Sequence, residues 1–111
     1  MRNLENIDCM RFAMIFAALV LLASPAHAAI ASCYCDHKTA NGERMNCAAP
    51  TAAHRTRAFN SIVRVTNLAN GRSIHVRIND RGPWVRSREI DLATGACLAL
   101  GFDGLAHVRL D

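Results

Sequence analysis

Along residues 62–78, "IVRVTNLANGRSIHVRI", apolar and polar positions alternate on both sides of Asn70-Gly71. A period of two puts alternate side chains on opposite faces of a strand. Asn-Gly is the strongest two-residue hairpin signal, because both central positions of a type I′ turn need positive φ. Such a turn pairs Ala69 with Arg72, Asn67 with Ile74, Val65 with Val76 and Val63 with Ile78. Val63, Val65, Ile74, Val76 and Ile78 then face inward, and Arg64, Thr66, His75 and Arg77 face out. Residues 30–35 and 106–110 read as further strands, and residues 36–50 as a polar stretch with Asn41-Gly42 at its centre. "DLATGACLAL", residues 91–100, predicts a short helix with Asp91 as N-cap and Gly101 at the C′ position. Leu92, Ala96 and Ala99 or Leu100 form its inner side. Several short strands and one helix in so short a chain predict a small closed β-barrel, since an open sheet would leave unpaired edges.

The N-terminus does not belong to that barrel. Arg2 and Arg11 flank an uncharged run over residues 12–23, which is too short to span a bilayer, and Ala26-His27-Ala28 supplies a small-x-small cleavage site. Residues 1–28 therefore read as a secretory signal cleaved after Ala28, leaving residues 29–111 as one domain, secreted or periplasmic, with no transmembrane segment. A lipoprotein anchored at Cys33 is the alternative, because Ile30-Ala31-Ser32-Cys33 fits a loose lipobox. Residues 29–111 carry eleven basic and seven acidic side chains. After export that excess points to an anionic wall or envelope surface and not to nucleic acid. A monomer is expected, although nothing in the sequence bears on oligomeric state.

Cys9 leaves with the signal, and Cys33, Cys35, Cys47 and Cys97 remain. An even count in a small exported domain is a disulfide framework. Cys33 and Cys35 lie two apart on one strand, a poor geometry for bridging each other, so each is expected to pair with Cys47 or Cys97, in either combination. Zinc is the competing use of four cysteines, but the spacing lacks a C-x-x-C knuckle. Neither a metal nor a cofactor is expected.

Three side chains at loop or strand ends could do chemistry: Glu43 after Asn41-Gly42, His54 in "TAAHRT", and Asp80 in "INDRGP". Each has a plain structural alternative: a solvated loop acid, a packed histidine, and an Asx-turn acceptor. His37, His75 and His107 read as surface or structural residues. No Gly-rich phosphate loop, nucleophile elbow or H-E-x-x-H motif is present.

"TANGERMN", "TAAHRTRAFNSIVRVTNLANGRS", "VRINDRGPWVRSREIDLATGACLALG" and the closing "AHVRL" resemble the rare lipoprotein A family over essentially all of residues 30–111. The resemblance implies a mainly β fold, a six-stranded double-psi β-barrel with one or two short helices. It further implies a lytic transglycosylase that cleaves the β-1,4 bond from N-acetylmuramic acid to N-acetylglucosamine and leaves a 1,6-anhydro end. Its substrate would be peptidoglycan glycan strands. The family's catalytic aspartate falls on Asp80, its supporting glutamate on Glu43 and its histidine on His54. Asp80 would protonate the leaving oxygen and then assist attack by the muramic 6-hydroxyl, so no water-activating carboxylate is required. Glu43 and His54 would position substrate, tune Asp80 or stabilise the cationic transition state. Tyr34 and Trp84 are candidate sugar platforms, and Arg81 would favour the Asp80 carboxylate if it points inward. The chain departs from the family where "CYCDHK" replaces an aromatic, Gly-rich stretch, where Asn60 replaces a Gly, and in the absence of the C-terminal peptidoglycan-binding domain that many members carry. Those departures keep a second reading in view, a non-catalytic expansin-like glycan-binding module or secreted effector.

Overall fold

The computed structural model describes residues 26–111. Six strands and one helix follow in order: β1 (His27–Tyr34), β2 (Thr51–His54), β3 (Ile62–Asn67), β4 (Ser73–Asp80), β5 (Ile90–Ala93), α1 (Thr94–Leu100) and β6 (Leu105–Leu110). The strands close into a barrel in the order β1-β5-β2-β4-β3-β6. The β1–β5 and β2–β4 pairs are parallel and the other four antiparallel. Closure removes the unpaired edges that strands this short would otherwise expose.

The barrel interior is filled by one face of each strand. Ala31, Ala52, Val63, Val65, Val76, Ile78, Ile90, Leu92, Val108 and Leu110 are fully buried there, and Ala96, Cys97 and Leu100 of α1 pack against them. Two disulfides, Cys33–Cys97 and Cys35–Cys47, staple β1 to α1 and to the loop before β2. Cross-pairing is thus as expected. All four cysteines are used in these two bridges.

The hairpin is present, but its register differs from the expected one by two residues. Val65 pairs with Ile74 and Val63 with Val76. The strands separate at Asn67, whose N–H bonds the Arg72 carbonyl at 2.8 Å, and the Gly71 N–H returns to the Asn67 carbonyl at 2.8 Å. Gly71 alone in this loop has positive φ, at 76°, so the turn is not type I′. The longer loop lets two side-chain amides reach the end of α1: Asn67 Nδ2 and Asn70 Nδ2 each donate to the Leu100 carbonyl at 2.9 Å. That carbonyl, at the C-terminal end, has no partner inside the helix. A shift of two keeps every residue on its expected face, and the inward set is unchanged.

The helix also starts later than expected. Residues 90–93 form β5, with Ile90 and Leu92 buried inward, so Asp91 is a strand residue and Ala93 precedes the first turn. Gly101 does close the helix in the left-handed conformation. Most of the expected signal, residues 1–25, lies outside the described residues. His27 and Ala28, just before the expected cleavage point, pair with Leu110 and Arg109 of β6. Among the described residues no helix is long and apolar enough to cross a membrane.

Candidate active site

Four neighbouring strands lay a row of residues across the outside of the barrel. Ser32 of β1 pairs with Asp91 of β5, Asp91 with Ala53 of β2, and Ala53 with Asp80 of β4. Strict alternation would send Asp80 inward, two residues after buried Ile78. It does not go there, because the β2–β4 register shifts between Ala52, opposite Ile78, and Ala53, opposite Asp80. Asn79 is the extra residue of this bulge. Bulges re-aim side chains in this way, and this one turns Asp80 onto the outer face beside Ala53.

Asp80 is held there by three donors. Oδ1 accepts the backbone N–H groups of Ala40 and Arg81, both at 2.8 Å. Oδ2 accepts the Tyr34 hydroxyl at 2.9 Å. Asp80 lines a cavity of about 410 Å³ together with Tyr34, Lys38, Ala53, Arg81, Trp84, Arg88 and Asp91. Burial, and then the bond to Asp80, push the Tyr34 hydroxyl far above its ordinary pKa, so it acts as a donor. Trp84 stands at the rim, 78% exposed. Nothing in the fold requires so large an exposed indole.

Arg81 does not turn its charge on Asp80. Its Nη1 donates to the carbonyls of Arg57 at 2.8 Å and His54 at 3.1 Å, and its guanidinium lies 3.9 Å from the Phe59 ring centroid. Only its backbone N–H serves the carboxylate.

Glu43 and His54 flank this cavity without lining it. Glu43 forms a two-point pair with Arg77, at 2.6 and 2.8 Å, and accepts Asn41 Nδ2 at 2.6 Å. These contacts, Arg77 first, lower its pKa to about 2. Glu43 ends the turn whose Ala40 N–H grips Asp80. His54 Nδ1 accepts the N–H groups of Thr56 at 3.2 Å and Arg57 at 3.1 Å, which assigns the ring proton to Nε2. Nε2 lies 3.7 Å from Glu89, in a separate cavity that also holds His27 and Arg55. Burial, and then Arg57, push its pKa down against the pull of Glu89.

Tyr34, Asp80, Arg81 and Trp84 thus meet at one cavity, while Glu43 and His54 support its two sides. The sequence reading missed Asp91 by assigning it to a helix cap. The alternation Ile90-Asp91-Leu92 carried the signal of a strand with its acid outward. Among the described residues no cluster of His, Cys, Asp and Glu is suited to hold a metal.

The family profile described as lytic transglycolase matches residues 26–110. The chain belongs to this family. A relative in a Nostoc species, named "Probable endolytic peptidoglycan transglycosylase RlpA", is 59% identical over 75 residues, covering 66% of this chain and 20% of its own length. The Campylobacter jejuni protein named "Endolytic peptidoglycan transglycosylase RlpA" is 51% identical over 76 residues, covering 67% of this chain and 28% of its own. A Treponema pallidum relative is 44% identical over 100 residues, covering 87% of this chain and 31% of its own. The chain therefore spans about a fifth to a third of the length of these relatives. Among solved structures, Streptomyces papain inhibitor superposes with a TM-score of 0.59 at 18% identity, covering 79% of this chain and 96% of that one. That likeness supports the double-psi barrel fold and nothing about activity.

Proposed function

We propose that this chain is an exported, monomeric lytic transglycosylase that cuts peptidoglycan glycan strands between N-acetylmuramic acid and N-acetylglucosamine, leaving 1,6-anhydro ends. The observation that carries the reading is Asp80: a bulge aims it into an open outer groove, with Oδ1 fixed by two backbone N–H groups and Oδ2 by the Tyr34 hydroxyl. Protonated Oδ2 donates to the departing glycosidic oxygen, and the bond to the muramic C1 breaks. The 6-hydroxyl then bonds to C1 and its proton returns to Asp80. The proton balance closes without water, and one carboxyl serves both steps. Tyr34 holds Oδ2 toward the groove, and Trp84 offers its face to a sugar ring. Two disulfides in so small a domain agree with an oxidising, exported setting. The names of the relatives supply the substrate class.

The exposed Trp84 beside an open cavity also favours a second reading, a module that binds glycan without cutting it. One experiment separates the two. Purified protein is incubated with intact and with amidase-stripped peptidoglycan, and the released fragments are weighed. Ends lighter by one water establish the transglycosylase; reducing ends would mean a hydrolase. Binding with neither kind of end would establish the module. Asp80→Asn should fold, retain binding and release no product.

A further inference from the structure

We propose that the arm from Pro83 to Arg88 carries a carboxylate-binding subsite, formed by Arg86 and Arg88, for an acidic group borne by the muramic residues of the bound strand. The proposal rests on the peptidoglycan reading and deepens it, by naming a charge that the groove recognises beside its sugars.

A second cavity, of about 360 Å³, has Arg55, Arg86, Arg88 and Glu89 in its wall. Arg88 lines this cavity and the Asp80 cavity alike. A smaller one, of about 160 Å³, shares Trp84 with the Asp80 cavity and Arg55 and Arg86 with the arginine-lined one. The three form one continuous surface that runs from Asp80 past the Trp84 indole to the arginines. Charge is segregated along it, since Asp36, Asp80 and Asp91 line the Asp80 cavity and not the second one.

Arg55 builds the arm. Its Nη1 donates to the Pro83 and Arg88 carbonyls, both at 2.7 Å, and ties the two ends of the arm together. Arg88 enters the hydrogen bonds of the fold through its backbone, donating its N–H to the Val85 carbonyl at 3.0 Å. Arg86 is exposed on the turn. No ion pair among the described residues includes Arg55, Arg86 or Arg88. Glu89, the acid on this wall, is paired with His27 and lies 3.7 Å from His54 Nε2. Cleavage after Ala28 would exchange His27 for the Ala29 ammonium, and Ala29 lines the same cavity, so the wall stays cationic.

Guanidiniums gathered on one concave wall without an acid partner repel one another, and a bound anion relieves that repulsion. Their planar fork matches a carboxylate in shape as well as charge. The sugar rings of the strand are neutral. Its carboxyls hang from the muramic residues, as the lactyl carboxylate where the peptide has been removed and on the stem peptide where it remains. A strand held at Asp80 with a ring on Trp84 carries such a group on toward the arginines.

Binding is read from the fluorescence of Trp84, the single tryptophan of the chain, in an Asp80→Asn background that leaves the strand uncut. The probes are stripped glycan strands, uncrosslinked strands that keep their stem peptides, and both kinds with their carboxyls methylamidated. Arg86→Gln with Arg88→Gln should weaken binding by about tenfold and flatten its salt dependence. Loss on stripped strands identifies the lactyl carboxylate as the group bound; loss confined to peptide-bearing strands identifies a stem-peptide carboxylate. Methylamidation should reproduce the loss and leave the double variant nothing further to lose. Arg72→Gln, in the hairpin loop and on none of these cavities, should bind as before. Anhydro ends released by wild type are scored separately, so a cutting enzyme without the subsite and a binding module with it are told apart. Unchanged affinity of the double variant for both kinds of strand overturns the subsite. So does a loss that persists on methylamidated strands, or an equal loss in Arg72→Gln and Arg86→Gln.

Discussion

Gly95 sits in the first turn of α1, where helix propensity alone would favour alanine by up to about 1 kcal/mol. The packing opposes it. A Cβ on Gly95 would lie 2.4 Å from the Ala48 carbonyl oxygen, 2.6 Å from its carbon and 2.7 Å from its Cα. These are backbone atoms, so no side chain can swing aside; one segment must retreat by about 1 Å to reach ordinary contact. The Ala48 segment is not free to do so, because Cys47 is bonded to Cys35 and its carbonyl takes the Gly95 N–H at 2.7 Å. Overpacking of this kind costs about 1–3 kcal/mol, and a strained or lost hydrogen bond about 0.5–1.5 kcal/mol more. Set against the propensity gain, Gly95→Ala should destabilise by about 2 kcal/mol. For a domain of this size that is a fall in Tm of about 8–16 °C. Thermal unfolding followed by circular dichroism reads it directly. Ala99→Gly, on the exposed side of the same helix, is the control and should cost about 1 kcal/mol at most. A Gly95→Ala protein as stable as wild type would show that the helix and the Cys47 loop are not in the contact described.

Gly71→Val should destabilise by about 1 kcal/mol or more, because Gly71 has a φ of 76° that a β-branched residue resists; an unchanged Tm would refute the loop. Unreduced protein should weigh four hydrogens less than reduced protein, and its digest should yield Cys33–Cys97 and Cys35–Cys47 peptides; a Cys33–Cys35 peptide or free thiols would refute the pairing.

What could be read from the chain follows how local the cause is. Alternation placed Val63, Val65, Val76 and Ile78 on the inner face correctly, because face depends only on parity. The hairpin register depends on what the turn touches, and the partner that lengthened this loop, the Leu100 carbonyl, lies about thirty residues away. The start of α1 failed for a related reason. Residues 91–93 can begin a helix or end a strand, and parallel pairing with β1 decides the matter in a way no local pattern displays. The site was legible as residue types at strand ends, with Asp80 singled out by the resemblance to a known family. Its geometry was not legible, since the bulge that turns Asp80 outward is a mismatch between two strands and has no mark in either one. Asp91 was hidden by the same error that moved the helix.

Glu43 and His54, the other two side chains singled out beside Asp80, reach it through the backbone. His54 Nδ1 gathers the Thr56 and Arg57 N–H groups, and the Arg57 and His54 carbonyls in turn hold the Arg81 guanidinium next in chain to Asp80. Glu43 clamps Arg77 of β4 and so pins the turn whose Ala40 N–H fixes Asp80 Oδ1. We propose that both are positioning residues. The Glu43–Arg77 pair tests the idea, because its effect should be joint. Glu43→Gln and Arg77→Met should each lower the rate of anhydro-end release, and the double variant should lose little more than either one alone. Acid provides an independent reading. The Glu43 carboxyl is held at about 2 in the fold against 4.5 ordinarily. A depressed carboxyl stabilises the fold fully above its unfolded value and loses that contribution as pH falls through the folded one. Wild-type stability should therefore drop between about pH 4.5 and 2 more steeply than that of Arg77→Met, measured by urea midpoints across that range. Parallel curves, or additive losses of rate, would mean that Glu43 serves the site in some way other than by holding Arg77.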